Sequence, residues 1–148
     1  MNKSVTSDET VSIIREMSRR ISQQKSTVVL RADFADLEES GQVEKMLAAL
    51  VDRKELVQIG EAVFSKTRIN ALTGEATAVD GFKVAALEAL DRLGIAWEFS
   101  EGEQAYLDGK SNLIPAATCV IVTGSDRPAL SLGKMRLKYW DEKTETWL

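Results

Sequence analysis

The chain has 148 residues, 44% hydrophobic and 28% charged, enough apolar material for one good core or two small ones. One cysteine and no histidine exclude an internal disulfide and any zinc site built from Cys and His ligands. The net charge of −4 argues against a broadly basic nucleic-acid-binding protein, but it is unevenly spread: residues 1–70 hold 11 basic and 11 acidic side chains, residues 71–148 hold 8 and 12.

No apolar run approaches the ~20 residues that span a bilayer. The opening MNKSVTSDET has neither the apolar stretch nor the cleavage site of a secretory signal. A cytoplasmic location without a membrane partner is therefore expected. In chain order, the first element is a helix over about residues 8–24. Ser7 is its N-cap, Asp8 and Glu9 complement its dipole, and Val11, Ile14, Met17 or Ser18, and Ile21 form its buried stripe. Arg15, Arg19 and Arg20 fall largely away from it, as a solvated basic face or as phosphate contacts. The β-branched run Thr27-Val28-Val29-Leu30 predicts a strand, and residues 31–37 one or two helical turns with Phe34 and Leu37 inward.

After a break at Glu38-Glu39-Ser40-Gly41, a second helix runs from a Ser40 cap to about Arg53, burying Val43, Met46 or Leu47, Leu50 and Val51. Residues 56–59 and 62–65, separated by Gly60-Glu61, predict a hairpin. Helix, strand, short helix, longer helix and hairpin is the order of a winged helix-turn-helix. The Thr-, Asn- and Gly-rich stretch 67–77 reads as a linker.

Beyond it, a helix over 80–93 buries Phe82, Ala85, Ala86, Ala89, Leu90 and Leu93 and ends at Gly94. A strand over 95–99 and a short helix opened by Ser100-Glu101-Gly102-Glu103 come next. Strands over 117–123, 129–132 and 135–140 complete the chain, with Met135, Leu137 and Tyr139 on a core face and Arg136, Lys138 and Trp140 on the other. Cys119 reads as a buried structural thiol. The expected fold is α+β: a winged helix-turn-helix domain over 1–70, then a small α+β domain over 78–148 ending in antiparallel strands.

Nothing in the sequence asks for catalysis. No glycine-rich phosphate loop is present, no histidine base serves a nucleophile, and no carboxylate pair sits in an apolar context. The protein reads as a non-enzyme without cofactor or metal. In a helix-turn-helix the exposed face of the second helix reads base edges from its N-terminal end. Here that face offers Ser40, Gln42 and Lys45, with Arg31, Lys66 and Arg68 placed for phosphates. Asp36, Glu38, Glu39 and Glu44 surround the same helix start and repel phosphate, which keeps a protein-contact reading open. Arg136 and Lys138 beside Trp140 form a second candidate contact surface, for nucleic acid or a partner. Trp140 and Trp147 also suit a partner or dimer surface, the chain being a monomer or weak dimer.

The stretch TVVLRADFADLEESGQVEKMLAALVDRKELVQIGEAVFSKTR resembles the winged-helix part of AbiEi-like antitoxin and transcriptional-regulator proteins. The later stretch EFSEGEQAYLDGKSNLIPAATCVIVTGSDRPALSLGKMRLKYW is similar to the second half of the same family; together they cover roughly residues 26–140. The resemblance implies an N-terminal domain that binds operator inverted repeats and represses its own operon. It also implies a C-terminal domain that counters a nucleotidyltransferase toxin, in a type IV arrangement that needs no stable complex. By position, Ser40, Gln42 and Lys45 fall in the recognition helix, Lys66 in the wing, and Arg136 and Lys138 on a terminal strand where the family tends to be basic. Three departures stand out. Lys54 and Ala62 occupy positions where the family usually has Gly, and Glu38-Glu39 replace a more basic helix start. The alternative reading is a winged-helix interaction module of a mobile element or phage that binds a protein without significant DNA affinity.

Overall fold

The computed structural model describes residues 7–110, 118–141 and 146–147. The side chains of Ser7, Asp8, Glu9, Glu103 and Trp147, Ala117 and the loop around Pro115, on which expectations fall, lie outside the described parts. The molecule is mixed α+β, and it divides into two compact units: residues 1–58 with 62–80, and residues 59–61 with 81–148.

The first unit opens with α1 (Ser7–Gln23). Its buried stripe is Met17 and Ile21, flanked by half-buried Ile13 and Ile14; Val11, expected on that stripe, is 45% exposed and Ile13 takes its place. Past the helix end, the Gln24 side-chain amide donates to the carbonyls of Ser26 and Val28, steering the chain into β1 (Val28–Leu30). The following segment, Arg31–Ser40, is 3₁₀-helical and kinked at Phe34, whose ψ of 25° with φ of −117° is not helical. Phe34 is buried at that kink, and Asp33 accepts from the Leu30 amide at 3.0 Å. Gly41 turns left-handed at φ 69° and α2 (Val43–Asp52) begins.

Ser40 does not cap α2. The left-handed Gly41 leaves it one turn behind, where its hydroxyl donates to the Leu37 carbonyl and accepts from the Gln42 amide. Gln42 is the capping residue and supplies no side-chain bond. The period of α2 places Val43, Met46, Leu47 and Leu50 inward, against Met17, Ile21, Val29, Phe34, Leu56 and Phe64. Leu50 is fully buried, so its truncation to alanine should cost ~2–5 kcal/mol.

The α2 C-terminus, Lys54 and Glu55 lead into β2 (Leu56–Gly60) and β3 (Val63–Ile69). The sheet order is β1-β3-β2, with Val29 opposite Phe64 in antiparallel register. All three residues of β1 and Val63, Phe64 and Ser65 are buried, so this part of the sheet has no solvated face. The stretch 67–77 is not a linker. β3 continues to Ile69, turns through residues 70–75 and returns as β4 (Ala76–Ala78), which pairs with the far end of β3. Asn70 organises that turn: its carboxamide oxygen accepts from the Leu72 and Thr73 amides, and Gly74 adopts φ 72°.

In the second unit, α3 (Phe82–Arg92) buries Phe82, Ala85, Ala86, Ala89 and Leu90; Leu93 lies at the cap and is 40% exposed. Left-handed Gly94 closes it, with Ile95 donating to Leu90 and Gly94 to Asp91, the pair of bonds of a Schellman motif. Then come β5 (Trp97–Phe99), α4 (Glu101–Leu107), β6 (Cys119–Val122), β7 (Ser131–Leu132), β8 (Met135–Arg136), β9 (Lys138–Asp141) and β10 (Thr146–Trp147). One sheet has the order β10-β9-β6-β5, and β7-β8 form a separate hairpin.

The antiparallel ending expected from sequence holds for β7–β8 and β9–β10, but β9 runs parallel to β6, with Cys119 opposite Lys138. Between β6 and β9 the chain bends at residues 123–125 and reverses at the Gly133 turn of the β7–β8 hairpin. Leu137 separates β8 from β9, which breaks the expected alternation: Leu137 and Tyr139 are buried, but Met135 is 52% exposed. Cys119 is half-buried rather than fully enclosed.

Candidate nucleic-acid interface

The exposed face of α2 carries Glu44, Lys45, Ala48 and Asp52. It is set by the same 3.6-residue period that buries Val43, Met46, Leu47 and Leu50. Lys45 is the face's one cation and is flanked by carboxylates. Gln42 is half-buried at the helix start, and the Ser40 hydroxyl is engaged in the turn before it. Of the three residues expected to meet DNA from this helix, Gln42 at a base edge, Lys45 at a guanine or phosphate and Ser40 at a phosphate, only Lys45 is exposed.

Arg31 sits where the 3₁₀ segment begins, and its guanidinium is occupied. Nε donates to Glu38 at 2.8 Å, a second nitrogen donates to the other Glu38 oxygen at 3.1 Å, and a third reaches Glu44 at 3.5 Å. The fork of donors matches the carboxylate face-on. The Arg31 guanidinium holds the Glu38 carboxyl below its ordinary range, and Glu38 in turn raises Arg31.

A second network ties α1 to the same segment. Arg20 donates to both oxygens of Asp36 at 2.8 and 2.7 Å and to Glu16 at 2.7 Å. Glu16 also takes a bidentate contact from Arg19. Bonds from Arg19 and then Arg20 hold the Glu16 carboxyl down to about 2, and Arg20 lowers Asp36. The basic side of α1 is thus largely neutralised from within the molecule.

The wing cations differ from each other. Lys66 is half-buried, and its ammonium donates to the Gln24 carbonyl at 2.6 Å. That carbonyl lies just past the end of α1, where a cation also meets the negative end of the helix dipole. Lys66 therefore clamps α1 to the sheet rather than facing a ligand. Arg68 is exposed on β3 opposite Thr77. In the second unit, Arg136 is exposed on β8 and Lys138 is half-buried on β9, on different strands of different sheets.

The two positions at which the resemblance leads one to expect glycine share one conformation. Lys54 (φ 64°) and Ala62 (φ 58°) are the two non-glycine residues in the left-handed region among the described residues. Lys54 closes α2 with the bonds that Gly94 makes after α3: its amide donates to Val51 and the Glu55 amide to Leu50. Its ammonium also donates to the Gly74 carbonyl at 2.7 Å, and Thr67 donates to the Lys54 carbonyl. Lys54 stands out in the sequence as a departure, yet nothing there shows this bracing of the β3–β4 turn. The only signal is an unusual lysine where a helix C-terminus wants glycine.

Among the described residues no group of three or more acidic or cysteine side chains is placed to hold a metal ion, and no helix is long and apolar enough to cross a membrane. No family model, curated protein or solved structure matches the chain.

Proposed function

We propose that the first unit is a winged helix-turn-helix and that the protein is a DNA-binding transcriptional autoregulator of the antitoxin type. The observation that supports this most is topological. The order α1, β1, 3₁₀ segment, α2, β2, β3 with sheet order β1-β3-β2 leaves the outer face of α2 in solvent, where a recognition helix would stand. Lys45 on α2 and Arg68 on β3 are the exposed cations for phosphates, and two contacts imply a salt slope of about −2. In this reading the second unit carries the antitoxin role against a nucleotidyltransferase, in the cytoplasm and without cofactor or catalysis.

The test is fluorescence anisotropy of the full chain with the duplex upstream of its own gene, against a scrambled duplex, from about 50 to 200 mM salt. Binding that favours the upstream duplex and weakens in Lys45→Ala is expected. Equal affinity for both duplexes removes the regulatory reading. A second reading, a winged-helix module that binds a protein, is favoured by the internal pairing of Arg20 and Arg31. It predicts a stoichiometric protein partner on co-purification and no anisotropy change with either duplex at low salt.

A further inference from the structure

Two carboxylates near the start of α2 close on one guanidinium. Glu38 presents both oxygens to one edge of the Arg31 guanidinium at 2.8 and 3.1 Å, and Glu44 approaches a third nitrogen at 3.5 Å. Arg31 flanks the first turn of α2, the end of a recognition helix that meets base edges and backbone. All three side chains keep solvent contact: Arg31 and Glu38 are each 38% exposed and Glu44 84%. Exposed ion pairs hold weakly and are screened by salt. Each phosphate of a duplex also offers two anionic oxygens to a guanidinium, in a field of far higher local charge.

From this we infer that Glu38 and Glu44 are an intramolecular substitute for DNA phosphate, masking Arg31 until a duplex displaces them. The inference rests on the DNA-binding reading and adds a regulation to it. The free protein engages DNA through few cations and has little hold on random sequence. A duplex that seats α2 correctly brings a phosphate to Arg31, releases the two carboxylates and gains a further contact. Masking therefore suppresses non-specific binding more than specific binding.

The test compares the parent chain with three variants: Glu38→Gln with Glu44→Gln, the same pair with Arg31→Ala, and Glu39→Gln alone. Each is titrated against a fluorescein-labelled duplex of mixed sequence, about 30 base pairs long. Glu39 is the control because it is exposed on the same segment and has no ion pair among the described residues. Circular dichroism and thermal melting establish that each variant is folded. The double glutamine variant should bind about tenfold tighter at about 50 mM salt, and its salt slope should steepen by about 0.9, one additional phosphate. Adding Arg31→Ala should abolish that gain, and Glu39→Gln should raise affinity by about twofold or less. A gain that survives Arg31→Ala, or that Glu39→Gln matches, overturns masking while DNA binding stands. If neither the parent nor the double glutamine variant binds duplex at that low salt, the DNA-binding reading itself fails and masking falls with it.

Discussion

Replacing Ala62 with glycine should stabilise the protein. Ala62 closes the β2–β3 turn at φ 58°, where a Cβ crowds the following carbonyl. For an L-residue this conformation costs ~1–2 kcal/mol, which glycine removes. Glycine also enlarges the conformational freedom of the unfolded chain, which opposes folding by ~0.4–1 kcal/mol. The difference is a net gain of roughly 0.5–1 kcal/mol, which for a chain near 150 residues raises Tm by about 2 °C. Lys54→Gly supplies the contrast. It removes the same strain at φ 64° but also loses the ammonium bond to the Gly74 carbonyl, so it should come out near zero. Lys54→Ala keeps the strain and loses the bond, and should destabilise by ~0.5–1 kcal/mol. Urea denaturation reads all three as midpoint shifts at constant slope. If Ala62→Gly lowers the midpoint, or Lys54→Gly exceeds it in stability, the left-handed assignment or the bracing role is wrong.

Lys66→Met keeps the stem and removes the bond to the Gln24 carbonyl; a loss of about 1–2 kcal/mol with unchanged salt dependence of DNA binding would mark it as a clamp. Tyr139 is pushed up to about 12 by burial, and its hydroxyl donates to the Pro128 carbonyl. Because the folded state favours the neutral phenol, its stabilising effect is complete below about pH 10 and is lost as pH rises from there through about 12. Absorbance near 295 nm should therefore show one of the two tyrosines ionising only near unfolding. At the acid end, Glu16 is held at about 2, so its contribution is complete above about pH 4.5 and lost as pH falls through 2. The urea midpoint of the parent should fall between about pH 5 and 3, and Glu16→Gln should flatten that fall; an equally steep fall in Glu16→Gln would remove Glu16 as a source.

Much of the first unit was legible because its signals are local. The 3.6-residue spacing of Met17 and Ile21 and of Val43, Met46, Leu47 and Leu50, and the β-branched run at 28–30, are each read within one element, as is the Gly94 stop in the second unit. The candidate site was much less legible. Arg31 and Glu38 are seven apart, about 10 Å along an α-helix, and the segment that joins them is kinked at Phe34, which no periodicity announces. The bond from Lys66 to Gln24 spans 42 positions, and no pattern announces it. The β3–β4 hairpin was hidden by composition, since a turn rich in Thr, Asn and Gly reads like a linker until its strands are paired. Parallel pairing of β6 with β9 depends on how the intervening chain is routed, which hydrophobic alternation does not encode.

That parallel pair has a kinetic consequence. β6 lies between β5 and β9, yet the β7–β8 hairpin separates β9 from it along the chain. In a refolding chain β5 and β6 can pair first, but until β9 docks the other edge of β6 stands open, beside the buried residues Val120 and Val122. An unpaired apolar edge is a template for other chains. The vulnerable interval is set by how soon β9 arrives. In refolding from urea, weakening β9 with Tyr139→Ala should therefore raise aggregation more than an equal destabilisation of the first unit.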